Sequence, residues 1–391
     1  MEPCSRLFFY CRAGFEQETL AELLWLCDEM GVRVSGTAPA RSGYVLLQLD
    51  DPRLTGSLLA RLRLQSLTFS RHFLACDGPQ EPLPIKDRLT PLGQRLASLS
   101  QEVGPFAALW LGYPDSEAGK VLAPLCRALQ GRLEESLRKE NRLQPDTHHP
   151  RAEIVLLSGT EALTGYSWPD KGAHWPMGIP RLRLANDAPS RAALKLEEAF
   201  WQLLSPEERR QRLTPGQRAV DLGAAPGGWS QVLLQRGLAV IAVDRADLAP
   251  TLRDAPRLHH RRADGFHFQP SQSVDWLFCD MVEKPRRIAA LIQRWAQAGW
   301  CRAALFNLKL PMKKRFEELQ LCRQLLLSPL QQAGIRCQLR FRHLYHDREE
   351  VTGLLLLDAH GRGKPGARQP GPDPKHPANP AQRQPGRKRE T

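Results

Sequence analysis

Two apolar segments of the sequence each end in a charged residue of a kind that could take part in proton transfer. The segment VDWLFCD ends in Asp280, and the segment AALFNLK ends in Lys309. A lysine can act as a general base when burial and neighbouring cations lower its pKa, and Lys195, in SRAALKL, is a candidate for such a cation. The plainer alternatives are a structural ion pair between Lys309 and Asp280, and a solvated Lys195 on an amphipathic helix.

Two acidic residues precede the last long apolar segment of the chain. Glu349 and Glu350 stand before VTGLLLL, and Glu350 is the nearer of the two. Adjacent acids before a strand are more often solvated than catalytic. The spacing alone does not show which of the two glutamates would lie beside Lys195, Asp280 and Lys309.

A glycine-rich segment follows a strand candidate and opens a helix candidate. It reads DLGAAPGGW from Asp221 to Trp229, and the next strand candidate ends at Asp244, 21 residues after Gly223. Glycines allow a ligand to approach the main chain, and an acid at the end of the second strand can bind ribose hydroxyls. The spacing GxxxGG differs from the GxGxxG of nicotinamide dehydrogenases, so we expect a nucleoside-cofactor site of another class. Asp264, in RADGF, could accept a hydrogen bond from an adenine amino group or could simply form an Asp-Gly turn.

The elements that would position these residues alternate between strand and helix from residue 189 to residue 358. Apolar strand candidates lie at 218–222, 238–243, 274–279, 303–308 and 351–357, and helical stretches lie at 191–204, 229–236, 286–298 and 314–333. This alternation predicts an α/β domain with a mostly parallel sheet and helices on both faces. Ligands of such sheets bind beyond the carboxyl ends of the strands, where Asp244, Asp280 and Lys309 are expected.

The rest of the chain is expected to form two smaller units, a linker and a tail. Residues 1–60 predict a small α+β unit, and residues 61–167 a second one with strands at 70–75, 106–111 and 153–157 and a helix at 120–138. Residues 168–188, rich in Trp, Pro and Gly, form the linker. The tail, residues 359–391, has seven prolines and eight basic against two acidic residues, and is expected to be disordered.

The charge of the chain points to a polyanionic partner. The 391 residues include 55 Lys and Arg against 42 Asp and Glu, a net charge of +13. The excess remains when the tail is left out, so we expect a basic path over the folded body that binds phosphate groups. The cations considered for that path are Arg61, Arg63, Arg71, Lys171, Arg181, Arg183, Lys313, Lys314 and Arg315.

Cysteine spacing and hydropathy argue against several other classes of protein. The nine cysteines include no CxxC pair, so neither a zinc site nor a disulfide framework is expected. No apolar stretch reaches the roughly 18 residues of a membrane span, and the N-terminus lacks the pattern of a secretory signal. We therefore expect a cytoplasmic protein without a metal or a membrane partner.

Longer motifs resemble one bacterial family. DLGAAPGGWS, DAPSRAALKLEEAF, CDMVEKP, FNLKLPMKKR and LYHDREEVT, with YCRAGFEQETLAEL near the start and TGYSWPDKGAHWPMGIPRL in the linker, are similar to the ribosomal RNA large subunit methyltransferase M family. The family methylates the ribose 2'-hydroxyl of a cytidine in 23S rRNA and carries an N-terminal THUMP domain. The similarity extends over about residues 5–357.

The resemblance implies a Rossmann-like class I methyltransferase domain at residues 189–358, preceded by an α+β ferredoxin-like and THUMP-like RNA-binding region. It implies a Lys-Asp-Lys-Glu tetrad of Lys195, Asp280, Lys309 and Glu350 or Glu349, with Lys309 as the proton acceptor. It also implies S-adenosylmethionine as cofactor, bound by Ser190, Ala225, Pro226, Gly227, Gly228, Asp244, Asp264 and Asp280. The implied partner is domain V of 23S rRNA before full assembly of the large subunit, and the implied oligomeric state is a monomer.

Two other functions stay open at the level of sequence. A methyltransferase acting on tRNA or on another rRNA nucleotide would share most of these features, because THUMP-type domains also serve tRNA enzymes. A non-catalytic RNA-binding module would share the charge but would not need the four tetrad residues. Base methylation of amino groups is disfavoured because CDMVEKP lacks an Asn/Asp-Pro-Pro-aromatic motif.

Overall fold

The computed structural model describes residues 4–77, 81–146, 148–184 and 188–358. The predicted disordered tail lies outside these residues. In the first half of the chain the elements are β1 (Arg6–Tyr10), α1 (Glu16–Glu29), β2 (Val34–Thr37), β3 (Tyr44–Leu49), α2 (Thr55–Arg61), β4 (His72–Cys76), α3 (Leu89–Val103), β5 (Leu109–Gly112), α4 (Glu117–Lys120), α5 (Ala123–Lys139), β6 (Arg151–Leu156) and β7 (Ala162–Ser167).

The strands of this half form one sheet in the order β2-β3-β1-β4-β7-β6-β5. In β3 every second residue is buried, the pattern of a strand with one face on the core. The pairing of β1 with β4, in which Arg6 lies opposite Cys76, joins the two N-terminal units that the sequence predicts. Both units therefore contribute strands to the same sheet, while the boundary between them stays a prediction.

The second half of the chain forms a second sheet with flanking helices. Its elements are α6 (Ala192–Leu203), α7 (Pro206–Arg212), β8 (Arg218–Leu222), α8 (Gly228–Gln235), β9 (Ala239–Val243), β10 (Leu258–Arg261), β11 (Val274–Cys279), α9 (Pro285–Gln297), β12 (Cys301–Lys309), α10 (Arg315–Gln332), β13 (Cys337–Arg342) and β14 (Glu350–Leu357).

The strand order of the second sheet is β10-β9-β8-β11-β12-β14-β13. The first five strands are parallel, whereas β14 runs antiparallel to both β12 and β13. One face packs on α9 and α10 through residues such as Ile288 and Leu319, and the other packs on α6 and α8 through residues such as Phe200 and Leu233. The α/β fold class with helices on both faces is therefore confirmed.

Most strands of the second half lie within two residues of their predicted positions, and β8 and β11 coincide with them. The sequence analysis missed β2, β7 and β13. β2 is a short strand with little apolar content, whereas the β13 residues CQLRFR alternate apolar and polar in the period-two pattern of a strand. Also missed were α3 and the short, highly charged α7, which begins with a Ser205–Glu208 capping box.

A buried arginine of the second half forms hydrogen bonds with the first half. Arg342, at the end of β13 and 2% exposed, donates from Nη1 to the carbonyl oxygens of Leu64 (2.9 Å) and Leu67 (2.7 Å). Nearby, the buried carboxylate of Glu22 accepts hydrogen bonds from the backbone nitrogens of Thr68 (2.7 Å) and Phe69 (3.0 Å). Buried side chains from both halves thus bind the backbone of residues 64–69.

We predict that Arg342→Met destabilises the protein. The substitution leaves the Leu67 carbonyl oxygen without its donor and leaves the Leu64 carbonyl oxygen with the Leu67 nitrogen alone, which should lower the free energy of unfolding by about 2 kcal/mol or more. Urea denaturation followed by tryptophan fluorescence measures the change. Arg302→Met is the control, because Arg302 is 69% exposed and its single ion pair should contribute no more than about 1 kcal/mol. Equal unfolding curves for the two variants would contradict the prediction.

Candidate active site

Four charged side chains meet at the carboxyl edge of the parallel part of the second sheet. Lys195 comes from α6, Asp280 directly follows β11, Lys309 ends β12 and Glu350 begins β14. The antiparallel register of β12 and β14 places Lys309 directly opposite Glu350. The structure therefore brings together all four residues predicted for the tetrad.

Each lysine in this group is bound to a carboxylate. Lys309 Nζ lies 2.9 Å from Asp280 Oδ1 and 2.6 Å from Glu350 Oε2, and Lys195 Nζ donates to Glu350 Oε1. The four side chains are between 10% and 26% exposed, so the group is shielded yet open to a ligand at one side. Burial lowers the pKa of Lys195 below its ordinary value, and the neighbouring Lys309 ammonium acts in the same direction.

The structure distinguishes between the two adjacent acids. Glu350 accepts from both lysines, whereas Glu349 points to Arg315, whose Nη2 lies 2.7 Å from Glu349 Oε2. Arg315 also donates to Glu18 Oε1 at 3.0 Å. Glu350 is thus the acid beside the lysines, and Glu349 takes part in the contact between the two halves of the chain.

A cavity of about 310 Å³ adjoins this group at the ends of β8, β9 and β11. It is lined by Gly223, Ala225, Val243, Asp244, Arg245, Ala263, Asp264, Gly265, Asp280, Met281 and Val282. Three carboxylates and an apolar floor suit a ligand that carries hydrogen-bond donors and positive charge. Asp280 borders both the cavity and Lys309, so the cavity and the charged group form one site.

Two acids of the cavity are fixed by backbone groups. Asp244 accepts from the backbone nitrogens of Ala225 (3.0 Å) and Ala246 (2.9 Å), which leaves further lone pairs for a ligand. Asp264 accepts from the Phe266 nitrogen at 2.9 Å, and this hydrogen bond lowers its pKa. Asp264 therefore forms the turn and lines the cavity at the same time.

The other predicted cofactor residues do not line this cavity but support it. A Cβ on Gly228 would lie 2.3 Å from Ser190 Oγ, so α8 packs closely against the start of α6. Gly227 adopts a φ of +112°, a conformation that favours glycine. Pro226, Gly227 and Gly228 thus follow the lining residue Ala225 along the chain, Ser190 lies against Gly228, and none of the four lines the cavity. The prediction that they contact the cofactor stays a prediction.

Two buried acids near the site were not predicted. Asp221, 1% exposed, accepts from Ser230 Oγ at 2.7 Å, and burial raises its pKa to about 7. Asp347, also 1% exposed, accepts from the Leu344 nitrogen at 3.0 Å, and burial raises its pKa to about 8. The sequence shows both as ordinary charged residues, because only tertiary packing removes them from water.

The structure corrects the predicted basic path at two positions. Arg71 is 3% exposed and lies 2.7 Å from Asp115, and Arg315 is 8% exposed and paired with two glutamates. Both guanidinium groups are held inside the protein, so the prediction that they bind phosphates is wrong. Of the remaining cations, Lys171 is partly exposed. The other six are exposed, namely Arg61, Arg63, Arg181, Arg183, Lys313 and Lys314.

The nine cysteines all lie in the described part of the chain, and no disulfide bond joins any two of them. Burial raises the thiol pKa of several of them, including that of Cys279 to about 12. Within the described ranges, no group of three or more His, Cys, Asp or Glu residues has a geometry that could hold a metal ion. None of the helices in the described part of the chain is both long and apolar enough to cross a membrane.

Three family models match successive parts of the chain. The RlmM ferredoxin-like domain matches residues 4–74, the N-terminal model of ribosomal RNA large subunit methyltransferase M matches residues 87–168, and the FtsJ-like methyltransferase matches residues 188–327. The FtsJ-like match covers α6 to α10 up to residue 327 and so includes Lys195, Asp280 and Lys309.

Relatives that match this chain over almost their whole length share one name. A protein from Methylococcus capsulatus is 44% identical over 91% of this chain and 99% of its own length, and one from Xanthomonas campestris pv. campestris is 45% identical over 90% and 99%. Both are called ribosomal RNA large subunit methyltransferase M. Among solved structures, TrmN from Thermus thermophilus aligns with 90% of this chain and 99% of its own at 15% identity, but its TM-score of 0.36 carries no functional argument.

We predict that Asp347 makes stability depend on pH. Its pKa is about 8 in the folded protein against an ordinary value of 3.8, so the neutral acid is favoured by folding. Stability should therefore fall as the pH rises from about 4 to about 8, and Asp221 should act in the same direction.

Asp347→Asn removes this titration, so the free energy of unfolding should fall less steeply over that pH range than in the wild type. Urea denaturation at a series of pH values and constant ionic strength measures the slope. Asp254→Asn, at an exposed position, is the control and should leave the slope unchanged. A slope in Asp347→Asn as steep as that of the wild type would refute the assignment.

Proposed function

The chain belongs to the ribosomal RNA large subunit methyltransferase M family, and we propose that it transfers a methyl group from S-adenosylmethionine to the ribose 2'-hydroxyl of a cytidine in 23S rRNA. The observation that carries this proposal is the meeting of Lys195, Asp280, Lys309 and Glu350 beside a cavity with three carboxylates. The family name supports rRNA as the substrate, and the four side chains support chemistry at a hydroxyl group.

The cavity fits the proposed cofactor in its chemistry. Asp244 would bind the ribose hydroxyls and Asp264 the adenine amino group, while Asp280 would face the positively charged methionine part. Val243, Met281 and Val282 line the cavity and would supply apolar surface for the adenine ring. Ala225 contributes main chain at the turn, and Ser190, Pro226, Gly227 and Gly228 would complete the loop around the methionine end.

When bound, S-adenosylmethionine would supply an electrophilic methyl group for the acceptor oxygen, with its sulfur as the leaving group. The chain then has two tasks, to align the hydroxyl and to remove its proton. Lys309 Nζ, in its amine form, accepts that proton. Asp280 and Glu350 orient Lys309 from two sides, and Lys195 offsets the charge of Glu350.

The acceptor is proposed to be RNA because only RNA carries a 2'-hydroxyl. We infer that residues 4–167 hold the rRNA, together with the exposed cations Arg181 and Arg183 of the linker and Lys313 and Lys314 beyond Lys309. The target would be a cytidine in domain V of 23S rRNA, before full assembly of the large subunit. We also propose that the protein acts in the cytoplasm as a monomer.

The test is a methylation assay with tritium-labelled S-adenosylmethionine, unmodified 23S rRNA transcript and a tRNA control. We expect label on the ribose of one domain V cytidine, located by nuclease protection and mass spectrometry. Label only on tRNA or on a base would overturn the proposed substrate. Absence of label, together with absence of cofactor binding in calorimetry, would favour the non-catalytic RNA-binding module.

Lys309→Ala and Lys309→Arg test the proton acceptor in the same assay. Both variants should lose at least about 100-fold in kcat, because a positioned general base contributes that much or more. Arginine keeps the positive charge but cannot accept the proton, so an active Lys309→Arg would remove Lys309 from this role. Calorimetric binding of S-adenosylmethionine shows whether the variants keep an intact cavity.

We predict that the double variant Arg181→Ala/Arg183→Ala binds 23S rRNA more weakly and with less salt dependence. Loss of one or two phosphate contacts should reduce the slope of log affinity against log salt by about 1–2. Filter binding at several KCl concentrations measures the slope. Arg302→Ala/Arg336→Ala removes the same charge from side chains that are 69% and 71% exposed, and should leave the slope unchanged. Equal slopes for the two double variants would contradict a phosphate contact in the linker.

A further inference from the structure

Two polar side chains lie behind the charged group, inside the second sheet. Asn307 and Thr352 are both 0% exposed and face each other across the antiparallel pair β12 and β14. In each strand a charged residue of the site stands two positions away, Lys309 after Asn307 and Glu350 before Thr352. Because side chains alternate along a strand, the polar pair and the charged pair lie on the same face.

The Asn307 side chain connects this pair to the charged group. Its Nδ2 donates to Asp280 Oδ1 at 2.8 Å, and its Oδ1 accepts from Thr352 Oγ1 at 2.7 Å. Asp280 Oδ1 is the same oxygen that accepts from Lys309 Nζ at 2.9 Å. Asn307 and Lys309 therefore hold one carboxylate oxygen from two sides.

Thr352 determines which way the Asn307 amide faces. Its hydroxyl group has one proton and lies near two acceptor atoms, Asn307 Oδ1 at 2.7 Å and Asp347 Oδ2 at 3.3 Å. Burial raises the pKa of Asp347 to about 8, so its carboxyl group is protonated at neutral pH and can itself donate to Thr352. The Thr352 proton is then available to Asn307 Oδ1, which leaves the amide nitrogen facing Asp280.

We propose that Asn307 is a positioning residue for Lys309, acting through Asp280, and that Thr352 sets its orientation. A reversed amide would turn its oxygen towards the Asp280 carboxylate, and two acceptors would repel each other. Asp280 would then move away from the place where it meets both Lys309 and the cavity. This inference rests on the proposed function, in which Lys309 must be held next to the acceptor hydroxyl.

Thr352→Val tests the proposal because valine has nearly the same shape as threonine but no hydroxyl group. We expect a fall of up to about tenfold in kcat, the equivalent of one hydrogen bond, with little change in KM for S-adenosylmethionine. Thr352→Ser keeps the hydroxyl and should restore kcat most of the way. Thr164→Val is the control. The Thr164 side chain, 3% exposed inside the N-terminal sheet, is too buried to contact RNA, and its hydroxyl has no hydrogen-bond partner.

A second measurement does not depend on turnover. Brief treatment with acetic anhydride modifies lysine amines, and mass spectrometry gives the rate at Lys309 relative to the exposed Lys284. If Asp280 is held less firmly, the Lys309 amine should react more readily. Thr352→Val should therefore raise the relative modification rate by about threefold to tenfold, the equivalent of one hydrogen bond. Asn307→Ala should have the same effect, and Thr164→Val should have none.

The outcomes separate this inference from the proposed function. If the wild type methylates RNA and Thr352→Val matches Thr164→Val in both measurements, the positioning role is overturned while the function stands. If the wild type shows no methylation, the proposed function fails, and the Lys309 labelling rate still decides whether Asn307 and Thr352 hold this side chain. Equal losses in Thr352→Ser and Thr352→Val would indicate a packing role and would also overturn the proposal.

Discussion

The site depends on one electrostatic constraint. Two lysine ammonium groups lie close together at a sheet edge, and this is possible only because two carboxylates lie between them. Glu350 accepts from both Lys195 and Lys309, and Asp280 accepts from Lys309. Without these acids, two partly buried cations would repel each other and lose hydration energy. Burial lowers the pKa of Lys195, and the neighbouring acids offset this effect only in part.

The reversed strand β14 makes this arrangement possible. The parallel strands β11 and β12 present only their carboxyl ends at this edge, which supplies Asp280 and Lys309. An acid at the start of another parallel strand would lie at the opposite edge of the sheet. Because β14 is antiparallel to β12, its first residue, Glu350, reaches the same edge, and Thr352 follows on the same face.

The segment that leads into β14 also connects the two halves of the chain. Arg342 binds carbonyl oxygens of Leu64 and Leu67, and the Arg12 side chain donates to the carbonyl oxygen of Asp347 at 2.8 Å. Arg315 joins Glu18 to Glu349, next to Glu350 of the proposed tetrad. The N-terminal sheet is therefore fixed to the segment that carries Asp347 and Glu350, which couples the region proposed to hold RNA to the proposed catalytic group.

The sequence by itself determined the fold class of the second half, the positions of its main strands and the types of residue in the site. Strong apolar periodicity and charged strand ends are local properties, so Asp280 and Lys309 could be predicted from their own segments. Tertiary structure decided what depends on pairing between distant segments, such as the register that selects Glu350 over Glu349 and the place of Asn307 and Thr352. It also decided burial, which turned Arg71 and Arg315 from expected RNA contacts into internal ion pairs and kept Asp347 neutral. Register and burial are set by contacts between residues far apart in sequence, and no local pattern encodes them.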